Sequence, residues 1–163
     1  WNEAYQMLLR TEIRSWLYPV TMGATTIWER WEAILEDGTI SGGKLDNNAE
    51  GSDDSMISFN HYAYGAVVDW VYRNVGGIAP IEPGYRRVAR APMPHDGLTS
   101  CDTAIETGYG RVALTWRTDP MARQIVADVA IPFGVTAELG GALAGAAEGS
   151  RLGHGTHHIS AAY

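Results

Sequence analysis

The apolar residues of this chain change their spacing near Pro80, and that change constrains its fold more than any other feature. Before Pro80 they recur every three to four residues, the period of a helix that buries one face. After it they alternate, the period of a half-buried strand. Ala4, Met7, Leu8, Ile13, Trp16 and Leu17 predict a helix over 3–17. Pro19 is expected to end it, because proline disfavours helical backbone in the residue before it. Ala24, Ile27, Trp28, Trp31, Ile34 and Leu35 predict a second helix over 24–36, closed by an Asp37-Gly38 turn. Phe59, Tyr62, Ala63, Ala66, Val67, Trp70 and Val71 predict the longest helix, over 58–75, with Asp69 and Arg73 spaced to pair and Gly76-Gly77 at its end. A helix so apolar around its circumference is expected to be buried between other helices, and two neighbours are too few.

Strands are expected at 85–91, 98–107, 111–117, 125–131, 135–139 and 157–161, separated by Gly and Pro turns. That spacing predicts an antiparallel β-sandwich. The fold class is therefore α+β in two parts, residues 1–80 helical and residues 81–163 a sandwich.

A net charge of −7 argues against binding a nucleic-acid backbone, which needs clustered Lys and Arg, and leaves neutral small molecules and sugars open. Six Trp and eight Tyr suit sugar faces, though aromatics also fill cores. The single Cys101 forms no internal disulfide. No apolar run approaches the roughly 20 residues of a membrane helix, and no signal peptide is visible, so no membrane partner is expected. The compartment is left open, with the cytoplasm favoured over secretion, and an oligomer is left open too. The chain begins Trp-Asn-Glu-Ala-Tyr, inside a helical pattern and without Met, which predicts the C-terminal part of a longer polypeptide whose N-terminal part is its partner.

Glu29 is the main chemical candidate. Thr26-Ile-Trp-Glu29 matches a capping box, in which the two side chains satisfy the free N–H groups of a helix start. The same carboxylate beside aromatic walls can act as a general base. Both readings stay open on pattern alone. His61 is either a buried, hydrogen-bonded residue at a helix start or a residue that hydrogen-bonds a sugar hydroxyl. His154, His157 and His158 lack the companions of a zinc set. Asp46, Asn48, Glu50 and Gly51 imitate a calcium loop, but Ile57 stands where an acidic residue is required. Cys101 reads as a small strand residue. No nucleophile elbow, phosphate loop or dinucleotide fingerprint is present, and no cofactor or metal is expected.

Five runs in order carry a family resemblance. They are Tyr18-Pro-Val-Thr-Met-Gly-Ala-Thr-Thr-Ile-Trp-Glu-Arg-Trp, Ser58-Phe-Asn-His-Tyr-Ala-Tyr-Gly-Ala-Val, Pro83-Gly-Tyr-Arg-Arg-Val with Gly97-Leu-Thr, Glu106-Thr-Gly-Tyr-Gly-Arg, and Leu152-Gly-His-Gly-Thr-His. Together they resemble the C-terminal end of bacterial α-L-rhamnosidases of the large inverting type. The resemblance implies that the first part supplies the last helices of an (α/α)6 barrel and the second a C-terminal β-sandwich packed on it. It implies a rhamnosylated glycan or glycoside as substrate, Glu29 as general base, His61 as a contact to the bound rhamnose, and Trp28 as a wall of the pocket. The general acid of that family lies upstream, so the isolated chain is expected to be inactive. The alternative from another class is a non-catalytic carbohydrate-binding or structural module. A glycosidase of the same architecture with another sugar specificity is a third.

Overall fold

The computed structural model describes residues 1–41, 57–146 and 150–163. The calcium-like run Asp46 to Gly51 lies outside them. The chain forms two compact units, Trp1–Val67 and Val68–Tyr163.

In the first unit, α1 spans Asn2–Leu9 and α2 spans Leu17–Thr21. The helix predicted over 3–17 is therefore broken, and Pro19 sits inside α2 rather than ending it. Proline is tolerated there because the first-turn N–H groups have no partner within the helix. What ends α2 is Gly23, at φ +84°. Its N–H donates to Val20 O at 3.0 Å, and Ala24 N–H donates to Pro19 O at 2.9 Å. That pair of bonds is a Schellman stop, which a residue without Cβ adopts at little cost.

The helix predicted over 24–36 does not form. Beyond Gly23 the backbone runs as bends and turns, and its polar groups bond to residues 58–61 instead of along a helix. Asp37-Gly38 is a turn, as expected, but it closes a small hairpin. Leu35 N–H donates to Thr39 O at 2.8 Å and Ser41 N–H to Ala33 O at 2.9 Å, and Asp37 Oδ1 accepts from the Thr39 N–H at 2.9 Å. Tyr18, buried, donates its hydroxyl to Ile34 O at 2.8 Å and ties α2 to this hairpin.

The long helix starts later than predicted. Residues 58–62 are not helical. A 3-10 turn Ala63–Ala66, α3 at Val67–Trp70 and a π-helical turn Val71–Val75 follow in succession. The Asp69–Arg73 pair is present at 2.7 Å. The expected burial is not. Val75 is buried, whereas Val68 and Tyr72 are exposed, because among the described residues no second apolar face covers them.

The second unit holds two four-stranded sheets. One is ordered β1-β2-β6-β7, from Ile78–Pro80, Arg87–Arg90, Thr136–Leu139 and Arg151–Leu152. The other is ordered β3-β4-β5-β8, from Ser100–Thr107, Gly110–Asp119, Gln124–Ile131 and Gly155–Ala162. The second sheet is antiparallel throughout. The first is mixed, since β2 and β6 are parallel. This corrects the expectation of a wholly antiparallel sandwich. Between β2 and β6 the chain builds β3, β4 and β5 in the other sheet, and such a long excursion allows a parallel return.

Alternation sets the core. Val112, Leu114 and Trp116 of β4, Ile125, Ala127 and Val129 of β5, and Ile159 of β8 are buried, while residues between them are more exposed. Gly77, at φ +69°, meets this core so closely that a Cβ would stand 2.6 Å from Pro92 N and 2.9 Å from Leu114 Cδ2. Trp116 Nε1–H donates to Val75 O at 2.8 Å and fastens the end of the helical run to β4. Trp116→Phe strands that carbonyl, and urea unfolding is expected to show a loss of about 1–3 kcal/mol with an unchanged m-value.

Candidate active site

The two sequence runs that contain Glu29 and His61 lie against each other in the first unit. Glu29 N–H donates to Ser58 O at 2.9 Å and His61 N–H donates to Ile27 O at 2.8 Å. The Thr26 hydroxyl donates to Phe59 O. Glu29 Oε2 accepts from the Ser58 N–H at 2.8 Å. Thr26 and Glu29, the two expected partners of a capping box, thus each hold the second run instead. The capping reading is corrected, since no helix begins there.

The carboxylate is half-buried and fixed at one oxygen. Its other oxygen has no protein donor among the bonds described, so it can accept a proton or a water. His61 is half-buried and its ring lies parallel to Tyr62, centroids 5.9 Å apart. Its Nδ1 accepts from the Ala63 N–H at 3.3 Å. A neutral imidazole that accepts at Nδ1 carries its proton on Nε2, which makes the outer nitrogen a donor.

Trp28 is buried and meets Phe59 edge-on at 5.4 Å. It walls an apolar cavity of about 260 Å³ together with Trp16, Ile27, Trp31 and Tyr64. Glu29 and His61 are not among the walls of that cavity. Trp31 stacks on Tyr64 at 4.7 Å and takes the edge of Trp16 at 5.1 Å, and Trp16 Nε1–H donates to Tyr64 O at 3.0 Å. The aromatic cluster therefore braces the run that carries Glu29. Sequence reasoning missed Ser58 and Phe59 as its anchors. The polar run Ser58-Phe-Asn-His is the available signal, but in sequence it cannot be told from the first turn of a helix.

The remaining candidates do not converge. Among the described residues no three His, Cys, Asp or Glu side chains are placed to hold a metal. His158 pairs with Asp128 at 2.7 Å, and His157 Nε2 lies 3.0 Å from Gly153 O. Cys101, in β3, contacts Thr103 Oγ1 at 3.0 Å.

Comparison with known proteins places these elements in a family. Residues 2–75 match the model of the bacterial α-L-rhamnosidase 6 hairpin glycosidase domain, and residues 77–151 match that of the bacterial α-L-rhamnosidase C-terminal domain. The chain belongs to the bacterial α-L-rhamnosidase family. An α-L-rhamnosidase of Formosa agariphila is 38% identical over 136 residues, which is 83% of this chain and 13% of that protein. One of Streptomyces avermitilis is 37% identical over 136 residues, 83% of this chain and 12% of that protein. The fold is similar to the crystal structure of the native α-L-rhamnosidase of Aspergillus terreus, with a TM-score of 0.81, 34% identity, and coverage of 96% of this chain and 17% of that one. It is also similar to the Streptomyces avermitilis α-L-rhamnosidase complexed with L-rhamnose, with a TM-score of 0.79, 32% identity, and coverage of 96% and 16%. The chain thus spans about one-eighth of the length of the curated α-L-rhamnosidases it matches.

Proposed function

We propose that this chain is the C-terminal part of an α-L-rhamnosidase that hydrolyses terminal α-L-rhamnosyl linkages with inversion, and that Glu29 is its general base. The observation that carries this reading is the placement of Glu29. A carboxylate held at one oxygen by the Ser58 N–H and open at the other is on the same pair of runs as an imidazole whose outer nitrogen donates. In the proposed reaction Glu29 takes a proton from a water as that water attacks the anomeric carbon. The glycosidic C–O bond breaks on the opposite face. The leaving oxygen takes a proton from a carboxylic acid supplied by another part of the polypeptide, about 6.5–9.5 Å from the base. His61 Nε2–H donates to a hydroxyl of the sugar. Trp28 acts through Phe59 and the apolar cavity, holding the run in place.

Residues 1–76 serve, in this reading, as the closing part of an (α/α)6 barrel, with the rest of the same polypeptide as its partner and a rhamnosylated glycan or glycoside as substrate. The boundary is proposed at Gly76-Gly77 rather than at 80/81, because Ile78–Pro80 pairs with β2. The reading separates the base from the acid. The isolated 163 residues are therefore expected to release no rhamnose from an aryl α-L-rhamnoside in a coupled assay. Release above the uncatalysed rate by this chain alone would overturn the assignment.

A further inference from the structure

The second unit has a cleft of about 580 Å³ that the hydrolytic reading does not use. It lies where the start of β2, the β5–β6 turn and the segment from β7 to β8 meet, and Arg86, Arg87, Arg151, Phe133, His154 and Glu82 contribute to its walls. Its placement follows from the parallel pair, since Arg87 is in register with Thr136, three residues beyond Phe133.

Three guanidinium groups share two carboxylates here. Glu82 lies 3.0 Å from Arg87 Nη1 and 3.8 Å from Arg86 Nε, and Glu138 lies 3.2 Å from Arg87 Nε and 3.2 Å from Arg151 Nη2. Arg87, in the middle, is engaged on both sides. The outer two are not saturated, and the Arg86 and Arg151 side chains are each 71% exposed. The group keeps a net positive charge on a chain whose overall charge is −7. Beside it stands Phe133, 81% exposed, with its ring held against His154 at a centroid distance of 5.5 Å.

Exposed ion pairs of this kind contribute little to stability, so stability alone accounts poorly for the arrangement. Spare guanidinium donors match an oxyanion, and an exposed aromatic face matches the apolar face of a pyranose ring. We propose that this cleft binds a saccharide bearing an oxyanion, either a ring carboxylate or a sulfate ester. The anion sits between Arg86 and Arg151, and the ring lies against Phe133.

The test is an amide-detected NMR titration of the 163-residue chain with methyl glucuronide, glucose 6-sulfate, methyl glucoside and inorganic sulfate. Salt is kept at about 150 mM, where distant charges are screened. At least one acidic sugar is expected to give saturable shifts around Phe133, Gly134 and Gly153, with the first two probes distinguishing carboxylate from sulfate. Losing a charge-assisted contact corresponds to about ten-fold in affinity, so the neutral glucoside is expected to bind at least that much more weakly. Phe133→Ala and Arg86→Ala, both at exposed positions, are each expected to weaken the acidic sugar about five- to ten-fold while leaving the spectrum folded. Equal binding of the neutral glucoside, no saturable shift with either acidic sugar, or variants that bind like the parent would each overturn the proposal. So would inorganic sulfate binding as tightly as the acidic sugars, since that describes an anion site without a sugar face. This outcome is independent of Glu29, so failure here and failure of the hydrolytic reading are distinguishable.

Discussion

Glu29→Gln, made in a whole enzyme that contains this chain, is expected to lower kcat by about 10²- to 10⁴-fold, the usual contribution of a general base. The substitution is nearly isosteric. A glutamine side-chain oxygen still accepts from the Ser58 N–H, so the bond at 2.8 Å survives and the pair of runs stays in register. What is lost is the ability to take a proton from water. The loss is therefore expected in kcat with little change in KM, because substrate contacts made before the transition state are unaffected. Thermal unfolding is expected to be unchanged within error. A variant with near-normal kcat would leave Glu29 as only a structural clamp on Ser58.

Arg90→Met is expected to stabilise the protein by roughly 1–4 kcal/mol, as do other replacements of buried charges by apolar side chains of similar volume. Arg90 lies in β2 on the same face as Val88, and both are fully buried. Its Nε and Nη2 have no partner among the described residues, and its Nη1 reaches only Ala89 O at 3.5 Å. Burial lowers its pKa to about 10. The sign of the linkage follows from that direction. Between about pH 10 and the ordinary arginine value the unfolded chain binds the proton and the folded chain does not, so stability from this group rises with pH across that window. Below pH 10 both states are charged and the full burial cost applies, on the order of 3 kcal/mol. Urea unfolding at neutral pH measures the gain in the variant, and the difference between variant and parent is expected to shrink above pH 10. A variant less stable than the parent at neutral pH would mean that Arg90 has an anionic partner.

The sheets were far more legible than the helices. Strict alternation in Val112, Leu114 and Trp116 has one solution when one face is buried, and β4 follows it. β1 was missed because three residues, one of them a proline, give no periodic signal. The helical spacing of Ala24 to Leu35 misled for an identifiable reason. Gly23 terminates α2 through backbone bonds that leave no apolar signature, and residues 26–29 then exchange local hydrogen bonds for partners about thirty positions away. A capping box and a clamp on Ser58 and Phe59 use the same Thr and Glu, so pattern alone could not separate them. The family resemblance, carried by the same two runs, singled out Glu29 and His61, and the structure lays those runs side by side. Arg90 was invisible as a special position, because a charged residue in a four-residue strand reads as solvent-facing until its burial is seen.

The most direct measurement is chemical rescue. Glu29→Ala in the whole enzyme is incubated with an aryl α-L-rhamnoside and sodium azide, and the product is followed by proton NMR. Azide needs no general base, so it can replace the activated water and attack the anomeric carbon from the face opposite the leaving group. Restored aryl alcohol release together with a β-L-rhamnosyl azide is the predicted result. Release that azide does not restore, or an azide product of α configuration, would contradict the assignment of Glu29 as the base of an inverting reaction.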